Sequence, residues 1–233
     1  MRTFVALLFK EEKAIFTSPI AYVVLSVFLV IMGYTFTLTL FVSHAPTLVH
    51  LFFQIYVLFL LTVPIITMRL VAEERRLRTI ELLLSAPVSE AAVVFAKYLA
   101  SVSLILLMLV LSGAYAIALG VLGRPEWGPI WSGYLGLFLL GAALVAVGLM
   151  ASSLVSNQII AALLSLSVFL LLWVIDRFGW MLPDPFDALV VNLSLLTHFT
   201  PFATGSIFLS DAGFFVSVTL LGLFFSVRAL ARR

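Results

Sequence analysis

Side chains able to ionise, bind a metal or attack a substrate are scarce in this sequence. Its 233 residues hold no cysteine, three histidines and 11 carboxylates. Thiol catalysis, disulfides and cysteine-ligated metal sites are therefore excluded. His44 and His50 stand six residues apart, and two histidines alone do not make a metal centre, so they read as parts of a solvated loop. No HExxH helix, nucleophile elbow or GxxxxGK[ST] phosphate loop occurs. The chain thus offers no catalytic residue, metal set or ATP site, and it reads as a non-enzyme. His198 is the one histidine inside an apolar segment, where a hydrogen bond to a neighbouring backbone group is the ordinary role. Thirteen basic residues at a net charge of +2 give no stripe for phosphates, which argues against nucleic acid.

Charge is concentrated between Arg69 and Ser89. There Leu70, Leu77, Ile80 and Leu84 recur at helical spacing, and Glu73, Glu74, Arg75, Arg76, Arg78 and Glu81 fill most of the remaining surface. Pro87 ends the pattern. One reading is an amphipathic loop helix resting on lipid headgroups. The other is a docking surface for a protein, with Leu77, Ile80 and Leu84 in a groove and Glu73, Glu74 and Arg75 fixing register. In both, Glu74 is a solvated charge. Pairing of Glu73 and Glu74 with Arg76 or Arg78 inside the helix is the alternative use of the carboxylates.

The elements that would carry these residues follow from composition. The chain is 64% hydrophobic and 10% charged, with a mean hydropathy of +1.25, against about 25% charged in ordinary soluble domains. Uncharged stretches cover Ala14–Met68, Tyr98–Gly123, Trp127–Ile175, Ala188–Ser210 and Ala212–Val227. About 20 apolar residues cross a bilayer core as a helix. The stretches accommodate six spans: Ile20–Val42, Leu48–Met68, Tyr98–Leu122, Ile130–Ala151, Ile159–Ile175 and Ala212–Val227. Residues 1–17 form an amphipathic helix suited to the membrane surface, and Ser18-Pro19 suits a helix start. Glu90–Lys97 is a helical lead-in to the third span, and Ser152–Gln158 a short polar turn. Gly133, Gly136, Gly141 and Gly148 permit close packing of the fourth span.

Six spans with both termini cytoplasmic place 11 of the 13 basic residues inside, leaving Arg124 and Arg177 outside. A seventh span through Leu189–Leu209 would put Arg228, Arg232 and Arg233 outside. That segment also carries Asn192, His198, Pro201 and Gly205, so it reads as a re-entrant or interfacial pair of short helices.

Four stretches together resemble one family. Met68-Arg69-Leu70, Glu73-Glu74-Arg75-Arg76, Thr79-Ile80-Glu81-Leu82-Leu83-Leu84 and Pro87-Val88-Ser89 are similar to the segment after the second span of type-2 (ABC-2) ABC transporter permeases, closest to the gliding-motility-type branch. Phe9-Lys10-Glu11-Glu12 with Phe16 and Ser18 to Tyr22 resembles that family's elbow helix and first span. Asn157 to Ala162 resembles its turn into span 5. His198-Phe199, Phe202, Gly205, Ile207 and Asp211 resemble its outer segment and the start of span 6. Two departures stand out: the family usually has Gly at the position of Arg78, and commonly Tyr at that of Phe215.

The resemblance implies a single permease domain over residues 1–233, an all-α polytopic membrane fold. It has six transmembrane helices, an elbow helix (1–17), a cytoplasmic coupling helix (69–89) and re-entrant outer helices (189–209). It implies that Arg69, Glu73, Glu74, Arg75, Leu77, Thr79, Ile80, Glu81 and Leu84 meet a separate ABC ATPase subunit, which binds ATP and Mg. His198, Phe199, Pro201, Phe202 and Gly205 belong to the re-entrant segment. A second permease chain, identical or a paralogue, completes the path in the cell inner membrane, with a periplasmic accessory subunit as a further partner. The function implied is ATP-driven transport, most simply export. The competing reading is a non-transporting scaffold that passes ATPase-driven movement to an outer partner.

Overall fold

The computed structural model describes residues 2–43, 47–79, 88–123, 125–181 and 186–231. Among these, all regular structure is helical. In chain order the helices are α1 (Arg2–Phe16), α2 (Pro19–Ser43), α3 (Val49–Thr67), α4 (Ala72–Arg76), α5 (Glu90–Leu122), α6 (Trp127–Leu154) and α7 (Gln158–Val174). A 3-10 helix (Ile175–Met181) follows, then α8 (Phe186–Val191), α9 (Leu195–Thr204) and α10 (Leu209–Ala231). Six of them, α2, α3, α5, α6, α7 and α10, are long and apolar enough to cross a membrane.

Local chemistry explains the boundaries. Pro19 opens α2, where its missing amide costs no bond. Ser89 caps α5 by accepting from the Ala92 amide at 3.3 Å, and Asn157 caps α7 by accepting from Ile159 at 2.9 Å. The expected lead-in and third span are therefore one helix of 33 residues. The charged segment differs more from expectation. Its described part forms a helix of five residues, Ala72–Arg76, with Leu77 as its C-cap and Arg78 turning left-handed at φ 57°. The apolar ridge is broken there: Leu70 is buried, whereas Leu77 is 58% exposed. Ile80, Glu81, Leu84 and Pro87 lie outside the described residues.

α6 and α3 form the middle of the bundle, while α2 and α7 leave most of their surface uncovered. Small residues bring α6 into the centre. A β-carbon on Gly133 would collide with Phe52, one on Gly136 with Phe202, and one on Gly148 with Thr67. One on Gly141 would stand 2.7 Å from Ile105. On α10, a β-carbon on Gly222 would stand 2.8 Å from the Ala146 carbonyl carbon, so the two backbones nearly touch. These four of the five glycines of α6 thus seat α3, α5 and α9 against one helix.

The bundle has two chemically distinct ends. At one, Leu7 of α1, Leu70 and Val71 before α4, Val93 and Val94 of α5, Leu149 of α6 and Leu230 of α10 share an apolar cluster. At the other, Phe199 and Phe202 of α9 are fully buried. Phe199 packs 5.7 Å from Phe53 and 5.3 Å from Tyr56, and Phe202 lies 6.4 Å from Phe215.

Candidate functional site

Polar side chains converge around α4, where each is supplied by a different helix. The first amides of a helix have no partner within it, and Val71 at the N-cap provides no side-chain acceptor. Ser152 of α6 does so instead. Its hydroxyl oxygen accepts from the Val71 and Ala72 amides, both at 3.1 Å, and its hydroxyl donates to the Met68 carbonyl at 3.2 Å. Ser152 is thus a buried residue inside α6, not part of the turn that follows it. Arg75 reaches the last turn of α10, where Nη2 donates to the Ala229 carbonyl at 2.8 Å. A cation suits a helix C-terminus, whose final carbonyls lack intrahelical donors.

One of the two carboxylates of α4, that of Glu74, faces inward. Glu74 Oε1 accepts from Lys97 Nζ of α5 at 2.7 Å, and Lys97 also donates to Glu11 Oε2 of α1 at 3.0 Å. Lys97 is 2% exposed and Glu11 6%. A buried ammonium needs partners of this kind, because removing one partner of a buried ion pair costs about 3–5 kcal/mol. Glu11 Oε1 also meets Lys10 Nζ at 3.3 Å. Glu73 pairs back to Arg69 Nε at 3.4 Å, one turn earlier. Neither glutamate pairs with Arg76 or Arg78, and Glu74 is not the solvated charge that periodicity suggested. A cleft of about 300 Å³ lies beside this cluster, lined among others by Glu11, Ile15, Ile66, Arg69, Glu74 and Leu77.

Of the other residues singled out in the sequence, Leu77 and Thr79 are exposed, and the Thr79 hydroxyl donates to the Glu74 carbonyl at 3.4 Å. The second group lies at the far end. Ser194 caps α9 by accepting from Leu196 and Thr197. Pro201 sits inside α9, and the helix stops at Gly205, whose φ of 102° favours glycine. His198 Nδ1 lies 2.8 Å from Asp211 Oδ1 and Nε2 lies 3.0 Å from the Asn192 carbonyl, with the ring stacked 4.0 Å from Phe214. Both ring nitrogens face acceptors. The two bonds coexist when the His198–Asp211 pair carries one proton more than neutral imidazole plus carboxylate. His50 is exposed on the first turn of α3, and His44 lies outside the described residues.

Sequence reasoning missed Lys97, Glu11 and Ser152 as members of the α4 site. Lys97 was visible as the last charge before a 26-residue uncharged stretch, and Glu11 as a carboxylate one turn after Leu7. Nothing in the sequence pairs them.

Residues 43–227 match the family described as ABC-2 family transporter protein. The match covers more than half of the chain, and the protein belongs to that family, whose members are membrane transport subunits and not catalysts. With its six apolar helices it is a multi-pass membrane protein. A search with the whole sequence matched no curated protein.

Proposed function

We propose that this chain is the permease subunit of an ATP-driven exporter, of the gliding-motility-type branch. It is driven by a separate ATPase that binds ATP and Mg and docks on residues 69–89. The observation that carries this reading is the wiring of α4. Five residues reach α5 through Glu74, α6 through the amides held by Ser152, and α10 through Arg75. A displacement imposed on α4 is therefore felt by three of the six apolar helices, while the Leu77 side chain stays available to a partner. In this reading the exposed Leu77 and Thr79, with Ile80, Glu81 and Leu84, form the docking surface.

The α4 end faces the cytoplasm of a cell with an inner membrane, as the basic residues favour. α8 and α9 stay within the outer half of the bilayer, with α9 packed against α6 and α3. A second permease chain covers surface left open on α2 and α7. ATP binding closes the ATPase pair, α4 follows, and the path between two permease chains opens outward; hydrolysis resets it.

Leu77→Asp tests this assignment, because the exposed side chain contributes little to the fold. The expected result is a normally inserted protein that loses roughly tenfold or more of its affinity for the ATPase. Undiminished co-purification with the ATPase would refute it.

A further inference from the structure

We infer that Lys97 is a positioning residue that ties α1 to α4, so that α1 travels with the ATPase-contacting segment and does not simply rest on the membrane surface. This deepens the function proposed above and rests on it for the identity of the driving subunit.

The geometry is specific. One ammonium, buried at the start of α5, bonds carboxylates from two other elements at once, Glu11 of α1 and Glu74 of α4. These partners lie 86 and 23 residues away in the sequence. If α4 withdrew while α1 stayed, one of the two bonds would break and leave a buried charge with half its compensation. If α1 withdrew, Glu11 would be stranded in the same way. Both ammonium bonds survive when α1 and α4 move together with the start of α5, which carries Lys97. Leu7 of α1, Leu70 before α4 and Val93 of α5 share one apolar cluster, so the same three segments also pack against one another. The adjoining cleft gives α4 room to shift without first expelling packed side chains.

The other bonds of α4 differ in kind. Ser152 and Arg75 hold backbone atoms, whereas the Lys97 links join side chains and can be removed from the α1 side alone. Glu11→Gln removes the ionic part of the link to α1, leaving the Glu74–Lys97 pair and the Leu77 surface intact.

The chain has no cysteine, so nitroxide labels attach only where cysteines are introduced. Positions Val5 on α1 and Arg76 on α4 are both exposed. Their separation is to be measured by pulsed electron resonance in the ATPase–permease complex, with and without ATP. The expected result is one narrow distance distribution that is unchanged by nucleotide. With Glu11→Gln or Lys97→Met it should broaden and become nucleotide-dependent, while Lys97→Arg keeps it narrow. A Glu11→Gln distribution as narrow and nucleotide-independent as that of the parent would overturn the proposal. Should no ATPase associate with the chain, the functional reading fails separately. The same label pair in the permease alone then still decides the tie, which predicts narrow in the parent and broad in Glu11→Gln.

Discussion

At the scale of single residues, Arg78 is the most exacting position in the described part of the charged segment. It occupies the left-handed region at φ 57°, immediately after α4, where a side chain costs about 1–2 kcal/mol and glycine avoids that strain. The ABC-2 permeases that the sequence resembles usually carry glycine here, a departure of this chain, and the left-handed backbone supplies the reason for that glycine. Arg78→Gly should preserve the turn, whereas Arg78→Val, with its branched β-carbon, should weaken it by a further ~1–2 kcal/mol. Limited proteolysis of the segment after α4 checks this: equal protection in the Val and Gly variants would refute the strain argument. The residue types at this site were readable in advance, but their directions were not. Glu74 carries the periodicity of a surface charge, yet it turns inward because a lysine from another helix waits there. Such pairing depends on contacts 23 and 86 residues away, which helical periodicity cannot encode.

At the scale of elements, hydropathy located the six long helices well, because a bilayer demands runs of apolar residues whatever their tertiary partners. The helix starts at Pro19, Ser89 and Asn157 follow from capping chemistry that is local in sequence. What escaped was the length of α4. The spacing of Leu70, Leu77 and the later leucines fits one long amphipathic helix, but α4 stops before the left-handed Arg78. The joint before α4 also depends on a distant residue, since Ser152 satisfies two buried amides that no neighbour in sequence reaches. Ser152→Ala should therefore cost about 1–3 kcal/mol, the penalty for buried donors left without acceptors. Ser152→Thr, which keeps the hydroxyl, should cost less if the added methyl is accommodated. Thermal unfolding in detergent measures both, and an unchanged melting temperature for the alanine variant would show that the bonds are dispensable.

At the scale of the whole molecule, the helices place α1, α4 and the end of α10 together, and the link before α6 together with α9 at the opposite end. Positive residues crowd the first end, so it is expected to face the cytoplasm. Single cysteines at Arg76 and Glu126, both exposed, test this directly in right-side-out vesicles. A thiol reagent that cannot cross the membrane should label Glu126→Cys at once and Arg76→Cys only after permeabilisation. Labelling of both from the same side would exclude a six-span topology.

The length of α5 carries a consequence for the surrounding lipid. Thirty-three residues extend about 50 Å at 1.5 Å per residue, against a hydrocarbon core of ~30 Å. The surplus must be taken up by tilt or by projection into the headgroups, and Lys97 with its two carboxylates marks where projection begins at one end. Hydrophobic mismatch at α5 is thus borne chiefly at a fixed ionic boundary. A thinner bilayer would increase tilt and turn the first eight residues of α5, together with whatever α1 and α4 carry, through an angle set by acyl-chain length.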